Sequence, residues 1–281
     1  MKANTLVGIL LGIAAIFGAY MLEGGTVSSI LSFSPMIIVL GGTFAAGLAG
    51  TSFETVAKIP TLFKIILFPN KYDFKQIIDQ LVYFSQLSRR EGILALEEKL
   101  VNVKYPFLKK MIQISIDGSD PQTLEHIFRT EIGFITDRHN THINLFAKFA
   151  GYSPTMGIIG TVMGLILTFA GAGGDINQMI QHIGSAFIAT LWGIFMANIV
   201  WFPISDRLRF LHDEEMQVYE LMLLGVQGLM IGETPSVVQS RLVSIFPLPQ
   251  QIEILKKGRP KDLTPIPNIN TNNNTQEPNK Q

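Results

Sequence analysis

Four stretches of this 281-residue chain are too long and too apolar for the loops or edge strands of a water-soluble domain. They run over roughly Thr5–Leu22, Pro35–Leu48 (with Ile30–Phe33 as an apolar lead-in), Phe149–Ala170 and Ile183–Phe202. A helix crossing a hydrocarbon core about 30 Å thick needs about 20 mostly apolar residues. With no water available, each backbone polar group must bond within its own segment, so the stretches read as spanning helices and not strands. Lys2, the apolar run behind it and the small residues at Gly18-Ala19-Tyr20 imitate a secretory leader. No A-x-A-like cleavage site follows, however, and a second apolar segment does, so a spanning helix is the better reading.

The charged fraction, 16%, is well below the roughly 25% of ordinary globular domains. The charges that exist are segregated. Twelve of the 22 Lys and Arg residues fall in Thr51–Leu145 and eight follow Pro203, while Glu23–Ser34 has none and Gly171–His182 carries only Asp175 and His182. Basic residues stay on the cytoplasmic side. The two bare connections are therefore expected outside, with both termini and the long middle section in the cytoplasm. Lys148 sits at the inner mouth of the third helix, where its stem can snorkel. The zero net charge argues against nucleic acid as a partner. The absence of cysteine removes disulfides, thiolate nucleophiles and zinc ribbons.

The expected architecture is an all-α integral membrane protein. Residues 1–50 form a transmembrane hairpin and 51–146 a helical cytoplasmic domain. Residues 147–203 form a second hairpin, 204–255 a cytoplasmic helical segment, and 256–281 a disordered tail. Within the middle section, Phe74–Leu87 places apolar residues at helical spacing. Asp117-Gly118-Ser119-Asp120-Pro121 reads as a turn followed by a helix start near Gln122. Beyond Lys256 the Lys-, Pro-, Asn- and Thr-rich sequence has nothing to bury.

No apolar segment holds Asp, Glu, Lys or Arg in its interior. Ion pathways across bilayers use an ionisable side chain to bind and release their cargo. If this chain works in ion transport, the titrating group must come from another polypeptide. What the segments offer instead is Gly157, Gly160, Thr161 and Gly164 on the third helix, with Ser185, Thr190, Gly193 and Ala197 on the fourth. Small residues four apart permit close helix approach. Thr161 and Thr190 have oxygens to present to an ion, although a membrane threonine commonly bonds its own helix backbone. Pro154 and Pro203 stand near the cytoplasmic ends of these helices; each removes a donor, and reads either as a terminator or as a hinge.

In the middle section Arg89 and Arg90 precede Glu97 and Glu98, with Gly92 between them to bend or split the helix. Such a cluster is a solvated face or a surface that reads opposite charges on a partner. His139 and His142 beside Asp137 make only a weak metal signal, and His182 reads as interfacial. No nucleotide motif, nucleophile elbow or zinc signature is present, so an enzyme is the poorest reading and no cofactor is expected.

The block Gly151–Leu165, with the run His182–Ile194 and its continuation through Asn198–Pro203, resembles the third and fourth membrane helices of the MotA/PomA family of flagellar motor stators. Ser88–Leu100, with its Gly-Ile-Leu-Ala-Leu-Glu-Glu core, resembles that family's torque-generating loop. The likeness spans about Met1–Glu233. The ExbB and TolQ proteins share the last two helices but lack an initial hairpin of this type. The resemblance implies a cell inner membrane protein assembled as five copies around two MotB-type single-helix partners, each bringing a membrane Asp. Ion flow, H+ or Na+, would rotate the ring and push a FliG-type rotor switch protein. By position, Arg89, Arg90, Glu97 and Glu98 match the rotor contacts, Pro154 and Pro203 the paired hinges, and Thr161 and Thr190 the ion pathway. The competing functions are an ExbB/TolQ-like energiser of envelope processes and a non-transporting membrane scaffold.

Overall fold

The structure is a computed structural model that describes residues 4–171 and 175–257. Lys2 and residues 258–281 lie outside the described residues; of the disordered tail expected at 256–281, Lys256 and Lys257 are instead helical. Every regular element among the described residues is helical. These residues divide into two compact units. One comprises residues 4–71 with Gly133–Glu215; the other comprises Tyr72–Ile132 with residues 216–257.

The first unit opens with α1 (Asn4–Leu22), followed by two single turns, α2 (Val27–Ile30) and α3 (Phe33–Met36). A widened π turn, Ile37–Gly41, leads into α4 (Gly42–Ala49). Then come α5 (Phe53–Ala57), capped by the Ser52 hydroxyl, and α6 (Ile59–Leu67). The 50-residue α9 (Pro121–Ala170) belongs to this unit from Gly133 onward. After it, α10 (Ile176–Phe195) passes through a second π turn, Met196–Trp201, into α11 (Phe202–Met230). Among the described residues two helical stretches are long and apolar enough to cross a membrane, Pro121–Ala170 and Ile176–Met230; Val7–Leu22 and Phe33–Ala49 are shorter apolar helices.

Aromatic rings form the core of this unit. Phe149 lies edge-on to Phe44 at 5.0 Å and to Trp201 at 5.3 Å, a geometry that sets positive ring edges against negative faces. Gly47 makes this possible: a Cβ there would fall 2.1 Å from the Phe149 ring. Lys148, expected to snorkel, donates from Nζ to the carbonyl of Gly50 at 2.9 Å.

The second unit begins with α7 (Phe74–Glu91), whose N-cap Asp73 accepts from Gln76 N at 3.0 Å. A ten-residue 3₁₀ helix, Ile93–Asn102, and α8 (Pro106–Ile116) follow. The early part of α9, the part of α11 from Met216, α12 (Pro235–Leu242), a 3₁₀ turn at Val243–Ile245 and α13 (Leu248–Lys257) complete it. Ile77, Leu81, Phe84, Leu96, Leu108, Met111, Phe128 and Met222 are all buried in one cluster. Burying each such side chain contributes about 1.5–3 kcal/mol, which accounts for this unit having a core of its own. Asp120 starts α9 by accepting from the backbone N–H groups of Gln122 and Thr123, both at 3.0 Å. These bonds and the Thr123 hydroxyl, the largest influence, hold its carboxyl below the ordinary value.

Candidate functional site

In the first unit α9 and α10 pack closely against each other. A Cβ on Gly157 would lie 2.8 Å from the carbonyl oxygen of Ala189, and one on Gly160 2.6 Å from the Ala189 methyl. One on Gly164 would lie 2.8 Å from the Ala186 methyl. Three glycines in succession thus leave room for the opposite helix, the close approach that small residues permit in lipid.

That approach brings Thr161 and Thr190 together. Their hydroxyls are hydrogen-bonded to each other. Thr161 Oγ1 also lies 3.1 Å from the carbonyl of Gly157 and 3.0 Å from that of Ala186. A hydroxyl has one proton and two lone pairs. With the Thr161 proton directed at carbonyls, Thr190 donates to Thr161 and keeps its own lone pairs available. The bond to Gly157 is the self-helix bond common for membrane threonines; the bond to Ala186 crosses to the other helix. Both residues are half-buried. On the side of α9 away from this contact, Ile158, Val162, Met163, Ile166 and Phe169 are exposed.

Neither proline ends its helix. Pro154 lies inside α9, and Pro203 follows the π turn as the second residue of α11. The terminator reading of these residues is therefore replaced by helices that run on. In an apolar setting an ended helix leaves several orphan carbonyls where a proline leaves one.

The structure adds a polar link that sequence reasoning missed. Buried Ser153, next to Pro154, accepts from Trp201 Nε1 at 2.9 Å and pairs with the Thr43 hydroxyl at 3.1 Å. Nearby, Ser205 donates to the carbonyl of Ile143 at 3.1 Å. The available signal was a hydroxyl beside a proline and a tryptophan two residues before the other.

The charged cluster lies in the second unit. α7 ends at Gly92, whose φ of 87° is a conformation side chains rarely adopt. Arg89 and Arg90 are thus on the last turn of an α-helix, while Glu97 and Glu98 are on the 3₁₀ helix. Gly92 separates them into two pieces. All four are exposed. Arg89 Nη1 donates to the carbonyl of Gly232 at 3.4 Å; Arg90, Glu97 and Glu98 make no ion pair with any described residue.

His139 and His142 do not converge on Asp137. His139 Nδ1 instead faces His212 Nδ1 at 3.1 Å, with Glu215 Oε2 at 3.7 Å. Among the described residues no group of three His, Cys, Asp or Glu side chains is placed to hold a metal ion. Burial lowers the pKa of both His139 and His142; Glu215 opposes the shift at His139.

The described residues are helical throughout, with long apolar helices joined through glycine, two hydroxyls at their contact and an exposed charged face; such long apolar helices suit a membrane protein. Comparison with known proteins narrows the class. Residues 6–92 match the model for the motility protein A N-terminal region, and residues 99–221 match that of the MotA/TolQ/ExbB proton channel family. Motility protein A of Bacillus subtilis (strain 168) is 29% identical over 259 residues, covering 92% of this chain and 96% of that protein. PomA of Vibrio alginolyticus, a chemotaxis protein, is 28% identical over 243 residues, 86% of this chain and 94% of that one. The solved flagellar MotAB stator complex from Bacillus subtilis contains a chain that superposes with a TM-score of 0.81 at 29% identity, covering 89% of this chain and 98% of its own. The chain belongs to the MotA family of flagellar stator subunits, a family of ion-channel and motor components and not of enzymes, found in the bacterial inner membrane.

Proposed function

We propose that this chain is the stator subunit of a bacterial flagellar motor and that, with a MotB-type single-helix partner, it couples inward H+ or Na+ flow to torque. The observation that carries this reading is the Thr161–Thr190 hydroxyl pair at a helix contact lacking any carboxylate of its own. A pair of oxygens can accompany a passing ion, but only a titratable group can capture and release it. The partner's membrane aspartate supplies that group. The MotAB composition of the matched solved complex supports such a partner.

In this reading α1, the run α3–α4, the latter part of α9 and α10 are four membrane spans. The Lys/Arg-free connections lie outside; both termini and the charged second unit lie in the cytoplasm. Five copies surround two partner helices. Pro154 and Pro203 act as hinges, and Arg89, Arg90, Glu97 and Glu98 meet a FliG-type rotor protein of complementary charge. The match over residues 6–92 to motility protein A favours the motor over an envelope energiser.

The test is motility of a strain deleted for this chain. Filaments should remain and swimming should stop, and speed measured against external sodium, with a proton uncoupler as contrast, identifies the ion. Steady selective conductance by the purified chain alone in vesicles would overturn the need for a partner carboxylate.

A further inference from the structure

The rotor-facing charges stand at the end of α7, and a junction in the same unit holds that end. α11 finishes in a left-handed turn: Gly232 has a φ of 73°, its N–H bonds to Leu229 O at 3.2 Å, and the N–H of Glu233 reaches back to Gly228 O at 2.9 Å. This is a helix stop in which glycine supplies the reversed backbone. The turn's two carbonyls then face α7. Glu233 O accepts from the buried Ser85 hydroxyl at 3.1 Å, and Gly232 O accepts from Arg89 Nη1 at 3.4 Å. Ser85 and Arg89 are four apart, so both lie on one face of the helix.

The Glu233 side chain closes the junction. Its Oε1 pairs with Arg241 of α12. Its Oε2 is buried without a hydrogen-bond partner, in space that exists only because Gly228 lacks a Cβ; an added Cβ would lie 2.5 Å from that oxygen. One residue therefore ties three helices: α11 through its N–H, α7 through its carbonyl and α12 through its carboxylate. Thr234 caps α12 by accepting from Val237 N at 3.4 Å, and Val238 and Leu242 are buried in the same core as Leu81 and Phe84.

We propose that Glu233, braced by Arg241 and seated on Gly228, is a positioning residue that fixes the direction of Arg89 toward the rotor. It does not touch the rotor itself. It keeps the Gly232 and Glu233 carbonyls where they restrain the last turn of α7, so that Arg89 is presented in a fixed orientation. This rests on the stator reading above.

The test uses the full chain with its native partner in cells lacking the chromosomal copy, at matched membrane levels. Glu233→Ala should lower stall torque about 2- to 5-fold, the range of a partly exposed ion pair. Proton and sodium flux, followed with indicator dyes in inside-out vesicles, should stay unchanged. Because the chain has no cysteine, Arg90→Cys carrying a nitroxide reports on the last turn of α7, and its spectrum should show faster motion once Glu233→Ala is added. Normal torque in Glu233→Ala, torque and flux falling together, or an unchanged nitroxide spectrum would each overturn the proposal. Arg89→Ala separates this from the stator reading. If it retains full torque, the rotor-contact reading itself fails; if it loses torque while Glu233→Ala does not, only the positioning role fails.

Discussion

Gly157 and Gly193 meet backbone to backbone: a Cβ on Gly193 would fall 3.1 Å from the Gly157 Cα and 2.7 Å from the Ser153 carbonyl oxygen. Those neighbours are main chain and cannot rotate away. Gly193→Ala and Gly157→Ala should each destabilise the α9–α10 pair by about 1–3 kcal/mol, the usual cost of overpacking. Gly133→Ala is the control, since nothing lies within 4 Å of its Cβ position; there alanine should gain about 0.5–1 kcal/mol of helix stability. Thermal unfolding of the purified protein in nanodiscs reads all three.

Thr161→Val keeps the shape of the side chain and removes the proton directed at Ala186 O. Thr190→Val removes the hydroxyl opposite. Interhelical hydrogen bonds in membranes are worth about 0.6–2 kcal/mol, so ion-driven rotation should fall about 3- to 30-fold in either variant. Thr161→Ser, which retains the hydroxyl, should keep most of it. Tethered-cell rotation speed provides the measurement, and normal speed in both valine variants would remove these residues from the ion path.

The unpaired charges on the second unit predict an ordering of effects. Like-charge juxtaposition across an interface costs more than a lost attraction. Glu97→Lys and Arg90→Glu should therefore slow rotation more than Glu97→Gln and Arg90→Ala. A double reversal across this chain and the proposed rotor protein should restore speed. Equal effects of neutral and reversed variants would argue against an electrostatic contact.

His139 and His142 give a pH dependence with a defined sign. Burial depresses both below the ordinary value of 6.5. The unfolded chain therefore binds protons that the folded chain resists, and stability rises with pH where that difference exists. The contribution is present above about 6.5 and is lost as pH falls from there toward the folded values. His212, Arg138 and His142 add to the resistance at His139, and Lys58 acts at His142, while Glu215 opposes it at His139. The melting temperature should drop between pH 7.5 and 5.5, and the drop should shrink in a His139→Gln, His142→Gln double variant. An identical pH profile in that variant would show that these rings do not set it.

The sequence shows where the apolar segments lie because lipid restricts composition over long windows. It also shows that Thr161 and Thr190 are hydroxyls on different helices. It does not show that they meet, because that depends on the register of α9 against α10, set by glycine contacts about 30 residues apart along the chain. The 3₁₀ form of Ile93–Asn102 was equally hidden. Leu, Ala, Glu and Lys favour an α-helix, so composition there points to the ordinary coil. The chain instead turns through the left-handed Gly92 and continues as the tighter coil, with Leu96 and Leu100 buried. Glu233 carried no signal at all, since its partners come from three separate helices: a backbone carbonyl of α11, a serine of α7 and an arginine of α12.

The widened turn at Met196–Trp201 acts as a buffer for chain length. Such a turn holds one residue more than its neighbours and rotates everything after it by about 100°. Removing a single residue inside it would yield an ordinary turn and could leave Phe195 and Ile204 in their seats, whereas the same deletion a few residues earlier would swing Thr190 off its helix face. Evolution and protein engineering therefore have one place in this span where an indel can be absorbed.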